Sequence, residues 1–292
     1  MAYLLLVLAV LFWSGNFVLG RSVNNVIPPI SLAFWRWTGA LIILLPFGIK
    51  PLLDQRQLIK DHWKIFAFMG LLSVTNFSIF IYFALHSTTV VNTAVVNSFQ
   101  PILIVFASWI GYRDKITLQQ GIGIIVSLTG LIWILSRGNP SNLLFLRFSS
   151  GDLWTLSAGI SWAIYSVMLR GHPRVIDPIG FLAVLIVFGT LFLTPLYIWE
   201  IHTGARFQFS LKTLGSIAYV AVFPSILSYL FWNKAVSIVG ANRAGIFIHL
   251  IPVFSIFLAF VLLGERFELY HLPGIVLIFT GIFMTTSSKM RN

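Results

Sequence analysis

Apolar residues in this chain come in blocks about 20 long, and nearly all charged residues fall between the blocks. This pattern constrains the fold more than any motif. Roughly 20 apolar residues in an α-helix cross about 30 Å of hydrocarbon, where each backbone amide and carbonyl must be bonded within its own segment. Only 9% of the residues are charged, against about 25% in soluble domains. So little charge could not cover a soluble surface, and the expected class is an all-α polytopic membrane protein. The net charge of +11 does not point to nucleic acid, because Lys and Arg are scattered rather than gathered into runs with interleaved aromatics. Basic loops against anionic lipid account for it. The absence of Cys excludes disulfides, thiol catalysis and cysteine metal sites. No cofactor or metal is expected. The first apolar block lacks a basic leader and a cleavage site, and is expected to be a first span rather than a signal peptide.

Ten spans are expected, at 3–20, 30–49, 65–86, 90–111, 119–136, 153–170, 178–199, 213–233, 242–263 and 271–288. Of the nineteen Lys and Arg residues, twelve fall on the N-terminal side, including Lys50, Lys64, Arg113, Arg170, Arg174, Arg243, Lys289 and Arg291. Six fall opposite, namely Arg21, Arg137, Arg147, Arg206, Lys212 and Arg266, and Arg36 lies inside a span. The positive-inside rule then places both termini in the cytoplasm.

The chain resembles itself. Shifted by 149 residues, Trp13 falls on Trp162, Arg21 on Arg170, Pro29 on Pro178 and Pro46 on Pro195, with nine of 34 positions identical over 13–46. At an offset of 151, Pro101 meets Pro252, Asp114–Lys115 meets Glu265–Arg266, Gly123 meets Gly274 and Gly130 meets Gly281. The division expected is a first half at 1–136, a connection at 137–152 and a second half at 153–292. Five spans per half is an odd number, so the second half must run oppositely across the membrane. Inverted repeats of this kind place a binding site near the midplane, between halves that rock.

One stretch breaks the apolar pattern: "STTVVNTAVVNSFQP", 87–101. Gln100 and Pro101 fall roughly 17 Å along the expected helix, close to the bilayer centre. Thr93, Asn97 and Gln100 share a face by their spacing. The repeat partner, "GANRAGIFIHLIP" at 240–252, carries His249 and Pro252. Two polar half-helices are thus expected to reach the centre from opposite sides. Polar groups at that depth line a cavity or bond neighbouring helices, and both readings stand for Asn92, Asn97 and Gln100.

These features resemble the drug/metabolite transporter superfamily in its EamA-type branch. The first-span motif "FWSGNFVLGR" (12–21) carries the likeness, as do the repeat endings "GYRDKITLQQGIGIIVSLTGLIWIL" (111–135) and "LGERFELYHLPGIVLIFTGIF" (263–283). The resemblance covers nearly the whole chain as two repeats. It implies a ten-helix exporter with a central cavity, in a bacterial inner membrane, with no catalytic signature. The aromatic richness is similar to that of the superfamily's aromatic amino acid exporters.

Candidate residues follow from chemistry. Trp13 and Asn16 in the first span, and Trp162 and Tyr165 at the repeat positions, can pack a substrate's apolar body and bond its polar head; plain packing is the alternative. Asn76, Tyr82, Ser228, Tyr229 and Trp232 are secondary candidates. Pro101 and Pro252 are hinges or tolerated kinks. Arg36, between Trp35 and Trp37, either meets a substrate carboxylate or snorkels to headgroups, and snorkelling is the favoured expectation. All Asp and Glu lie in loops or at span ends, so the usual acidic proton relay is missing. His249 is either a proton exchanger or a hydrogen-bonded core residue.

The function expected is secondary export of neutral, aromatic or hydrophobic amino acids and related small metabolites. Drug or nucleotide-sugar export and lipid carriage share the fold. An intramembrane enzyme lacks the clustered side chains it would need. Expected partners are the small-molecule substrate and membrane lipids, not nucleic acid, and one chain supplies both repeats, so a monomer suffices.

Overall fold

The computed structural model describes residues 1–292 except 24, 25, 89, 146–148, 172–175, 206, 209, 264–266 and 288–292. Arg147, Arg174, Arg206, Arg266, Lys289 and Arg291 of the charge count, and Glu265 of the repeat comparison, lie outside the described residues, as does the side chain of Arg21.

The described residues are helical, with no strand among them. In chain order the main helices are α1 (Ala2–Val23), α2 (Pro29–Asp54), α3 (Trp63–Ser87), α4 (Val90–Asn97), α5 (Gln100–Tyr112), α6 (Leu118–Leu135), α7 (Ser150–Met168), α8 (Pro178–His202), α9 (Leu211–Val239), α10 (Ala241–Gly245), α11 (Leu250–Leu263) and α12 (His271–Ser287). Among the described residues, seven helical stretches are long and apolar enough to cross a membrane: α2, α3, Asn92–Tyr112, α6, α8, α9 and Ala241–Leu258. The other three expected spans fall on α1, α7 and α12.

The helix starts are encoded locally. Pro29 and Pro178 stand in the first turns of α2 and α8, where a missing N–H costs nothing. The Asp177 carboxylate accepts from the amides of Ile179 and Gly180. Thr117 and Gln120 close a reciprocal capping box at α6. Large apolar side chains such as Ile42, Phe106, Ile125, Leu191 and Phe279 point outward, whereas Ser14, Ser73, Ser127 and Ser166 are buried. An apolar outside around a partly polar inside suits a lipid solvent.

Two irregular features sit at matching places. α3 contains a π-helical turn at Leu71–Asn76, and α9 contains one at Ala221–Leu227. Pro224 lacks an N–H, so the Val220 carbonyl loses its helical donor; the Ser225 hydroxyl replaces it at 2.7 Å. The α4–α5 rod breaks at Ser98–Phe99, just before Pro101. The α10–α11 rod tightens into a 3-10 turn at Ile246–His249, just before Pro252. Proline disfavours helix in the preceding residues and leaves a carbonyl unbonded.

α6 and α12 pack backbone to backbone. A Cβ placed on Gly130 would lie 2.6 Å from the Gly274 carbonyl oxygen, and one on Gly123 would lie 2.7 Å from that of Gly281. Glycine is what lets these helices touch.

Candidate functional site

The site has three levels. At one end, the loops after α5, α7 and α9 surround a vestibule of about 1190 Å³. Tyr3 stacks on Phe247 at 5.6 Å, which sets the start of α1 beside the 3-10 turn that follows α10 and places the vestibule at the N-terminal face. Among the described residues its lining includes Arg113, Lys115, Arg170, Lys234 and Arg243, against one carboxylate, Asp114. Asp114 binds Arg170 at 2.6 Å, and that contact raises the Arg170 pKa above its ordinary value. The pair is exposed and adds little stability. Deeper lining comes from Ser166 and Asn233, and Asn233 accepts a hydrogen bond from the Tyr165 hydroxyl at 2.7 Å.

Below the vestibule lies an aromatic plug. Trp162 is its hub: its ring centre is 5.0 Å from Trp13, 5.3 Å from Tyr165 and Tyr229, and 5.7 Å from Trp232. Polar edges are paired across helices. Trp232 donates to the Ser166 hydroxyl at 3.2 Å, Trp13 to the Pro224 carbonyl at 3.0 Å, and Tyr229 to the Ser73 carbonyl at 2.6 Å. Both π turns therefore supply carbonyls to the plug. Ser228 donates to the Ala9 carbonyl at 3.0 Å, tying α9 to α1.

Beyond the plug sits Arg36, only 1% exposed. It bonds Ser225, Tyr82 and the Pro224 carbonyl. Tyr82 in turn donates to Asn16 at 3.4 Å. The expectation that Arg36 snorkels is not met: α2 turns this side chain inward, where hydroxyls and a carbonyl receive it in place of headgroups.

The far face is held by two buried carboxylates. Asp152 accepts from Thr88 at 2.8 Å, Asn92 at 3.2 Å and the Ser149 amide at 2.6 Å. Glu200 accepts from the amides of Ile30 and Ser31 and from the Ser31 hydroxyl, at 2.6–3.0 Å. Both acids stand at span ends, as the sequence implies, yet both are buried clasps rather than solvated caps. Asp152→Ala leaves three donors without their acceptor. It is expected to lower thermal stability by about 1–3 kcal/mol and to speed maleimide labelling of a cysteine introduced at Asn97. The chain has no native Cys to confuse the readout. Equal labelling in both backgrounds would show that the clasp closes nothing.

The remaining candidates are dispersed. Asn97 and His249 line a second, mostly apolar cavity of about 200 Å³ with Thr93, Ser98 and Pro252. His249 is buried with both ring nitrogens occupied: Nε2 faces the Ser98 carbonyl at 2.9 Å and Nδ1 the Ser127 hydroxyl at 2.7 Å. The carbonyl requires the proton on Nε2, so Ser127 donates to Nδ1 and the ring is satisfied without charge. Gln100 is buried beside Gly159 of α7, and Pro101 beside Gly245 of α10. Asn76 ends the α3 π turn, half-buried. Asn92 belongs to the Asp152 clasp and not to the plug. Of the vestibule residues, Lys234 and Arg243 entered the sequence reading only as loop charges and Asn233 not at all; their signal, "WNKAV" and "ANRAG" at helix ends, looks like ordinary interfacial polarity.

A helical shell that is apolar outside, open at one face, latched at the other and polar along its axis is the architecture of a membrane transporter. The chain belongs to the EamA-like transporter family, which matches residues 1–136 and 149–287. It is 25% identical over 289 residues to YyaM of Bacillus subtilis strain 168, described as an uncharacterized transporter, covering 99% of this chain and 94% of that one. It is 24% identical over 295 residues to an uncharacterized transporter of Archaeoglobus fulgidus, covering 98% of each. A solved crystal structure shares the fold with a TM-score of 0.78 at 18% identity, over 98% of this chain and 96% of its own.

Proposed function

We propose that the chain is a secondary exporter of neutral aromatic or hydrophobic amino acids and related small metabolites. It works by alternating access in a bacterial inner membrane, as a monomer of ten spans with both termini cytoplasmic. The observation that carries this reading is the aromatic plug, in which the repeat-related Trp13 and Trp162 touch each other between the vestibule and Arg36. Equivalent residues that meet must lie close to the axis relating their halves. The glycine pairs support the same inverted arrangement. Gly123 and Gly274 are repeat equivalents, as are Gly130 and Gly281, and the contacts cross over, 123 to 281 and 130 to 274. A two-fold axis between antiparallel α6 and α12 produces that crossing.

In this arrangement the vestibule collects solute from the cytoplasm, the plug receives its aromatic body, and the Asp152 and Glu200 clasps keep the outer face shut. The second cavity, at about 200 Å³, is below the roughly 300–1,000 Å³ of drug-sized sites, which disfavours the lipid-carrier and lipophilic-drug alternatives for that position.

The test is uptake of labelled Phe and Trp into proteoliposomes of purified protein. Flux down the solute gradient is expected. An imposed pH gradient is expected to change it by less than about twofold, because His249 is satisfied at both nitrogens and no carboxylate among the described residues lies on the axis. Absence of flux in verified vesicles would remove the amino acid reading, and a strong pH-gradient dependence would remove the uncoupled mechanism.

A further inference from the structure

Arg36 is a buried charge without a counter-charge among the described residues. Its Nε donates to the Ser225 hydroxyl at 2.6 Å, one terminal nitrogen to the Tyr82 hydroxyl at 3.2 Å and the other to the Pro224 carbonyl at 3.3 Å. All three partners are neutral, and the last two contacts are long. The guanidinium carries five N–H donors, and these bonds to described residues use three of them. The described ion pair of this protein is elsewhere, between Arg170 and Asp114. The buried carboxylates are committed elsewhere too: Asp152 to Thr88, Asn92 and Ser149, and Glu200 to the start of α2.

Burying a cation among neutral groups costs several kcal/mol. An apolar residue would fill the same volume without that cost. Two of its partners also serve other groups. The Pro224 carbonyl is shared with Trp13, and Ser225 already donates to the Val220 carbonyl. Both belong to the π turn of α9. The guanidinium lies 5.0 Å from the Trp37 ring centre, Trp37 packs on Tyr229 at 5.0 Å, and Tyr229 packs on Trp162 at 5.3 Å. The cation is thus joined to the aromatic plug through the Trp37 ring.

We propose that Arg36 binds the carboxylate of the transported solute, and that the Pro224 carbonyl and the Ser225 and Tyr82 hydroxyls occupy the carboxylate's place while the site is closed. A planar fork of donors matches two carboxylate oxygens. The substrate class is then a monocarboxylate bearing an aromatic or bulky apolar body: the body enters the plug and the acid reaches Arg36. This rests on the transport reading above and adds the group that recognises the acid.

The experiment measures binding to the purified full-length protein and to Arg36→Lys and Arg36→Gln. The probes are phenylalanine, phenylacetate, phenylacetamide and phenethylamine. Wild type is expected to bind the two carboxylates at least about tenfold more tightly than the amide and the amine. Arg36→Gln is expected to lose that preference, and Arg36→Lys to keep the sign of it with weaker binding, since it retains charge without the fork. If Arg36→Gln does not fold, Arg36→Lys alone decides, with unchanged carboxylate affinity counting against the proposal. The proposal is overturned if a folded Arg36→Gln still prefers carboxylates, if wild type prefers the amide or amine, or if wild type binds none of the four. Failure of the transport reading looks different. Phe and Trp flux would be absent while phenylacetate binding still depended on Arg36. Conversely, Phe flux with unchanged KM in Arg36→Gln would remove the carboxylate site and leave the transporter reading standing.

Discussion

Gly281→Val is expected to be the most damaging single substitution in the molecule, lowering thermal stability by about 3 kcal/mol or more. A Cβ at Gly281 would lie 2.6 Å from the Ser127 amide nitrogen and would also collide with the Gly123 carbonyl oxygen. Flexible side chains can rotate out of such a clash; backbone cannot. Relief requires α12 to move off α6, which breaks the matching Gly130–Gly274 contact two turns away. Gly215→Ala is the control. It also replaces a helical glycine, but nothing lies within 4 Å of its Cβ, so it is expected to stabilise by about 0.5–1 kcal/mol. Melting of both variants in the same detergent checks the pair. Similar losses in both would mean that the close approach of α6 and α12 does not matter.

Trp162→Ala is expected to reduce Phe and Trp flux by at least about tenfold and to cost about 3–5 kcal/mol of stability. The ring touches Trp13, Tyr165, Tyr229, Trp232 and also Phe77. Its removal opens a void at the centre of the plug. Trp162→Phe retains a flat ring and is expected to recover most of the stability and part of the flux. Initial rates per reconstituted molecule, read beside melting temperatures, separate the two effects. If the alanine variant transports at the wild-type rate, the plug is packing and the solute passes elsewhere.

Much of this was legible in the sequence because a bilayer imposes a coarse code. Blocks of apolar residues mark the helices, and Pro101 and Pro252 mark breaks at 98–99 and 246–249, where the structure places them. The shared Trp13 and Trp162 positions suggest a repeat, and nothing in them announces that the two rings touch. Other features were hidden for physical reasons. A π turn needs one extra residue in a helical turn, and nothing in "LLSVTN" announces it. Arg36 stands between two tryptophans, the pattern of an interfacial anchor, and only the inward rotation of α2 shows that the side chain turns away from lipid. Asp152 and Glu200 read only as acids in loops or at span ends, because donors such as Asn92 and Ser31 are distant in sequence. Of the candidate residues, Trp13, Trp162, Tyr165, Tyr229 and Trp232 converge. Asn97 and His249 share a smaller cavity, and Asn92 joins a clasp.

The glycine contacts between α6 and α12 also limit how the molecule can move. Two helices touching backbone to backbone at points seven residues apart, about 10 Å along the axis, cannot slide lengthwise without driving the next bulky residue into the opposing main chain. They act as a keel. On the proposed alternating-access reading, the far face opens by turning the remaining helices about this pair, and a strut placed across α6 and α12 is expected to leave transport running where a strut across α4 and α7 would stop it.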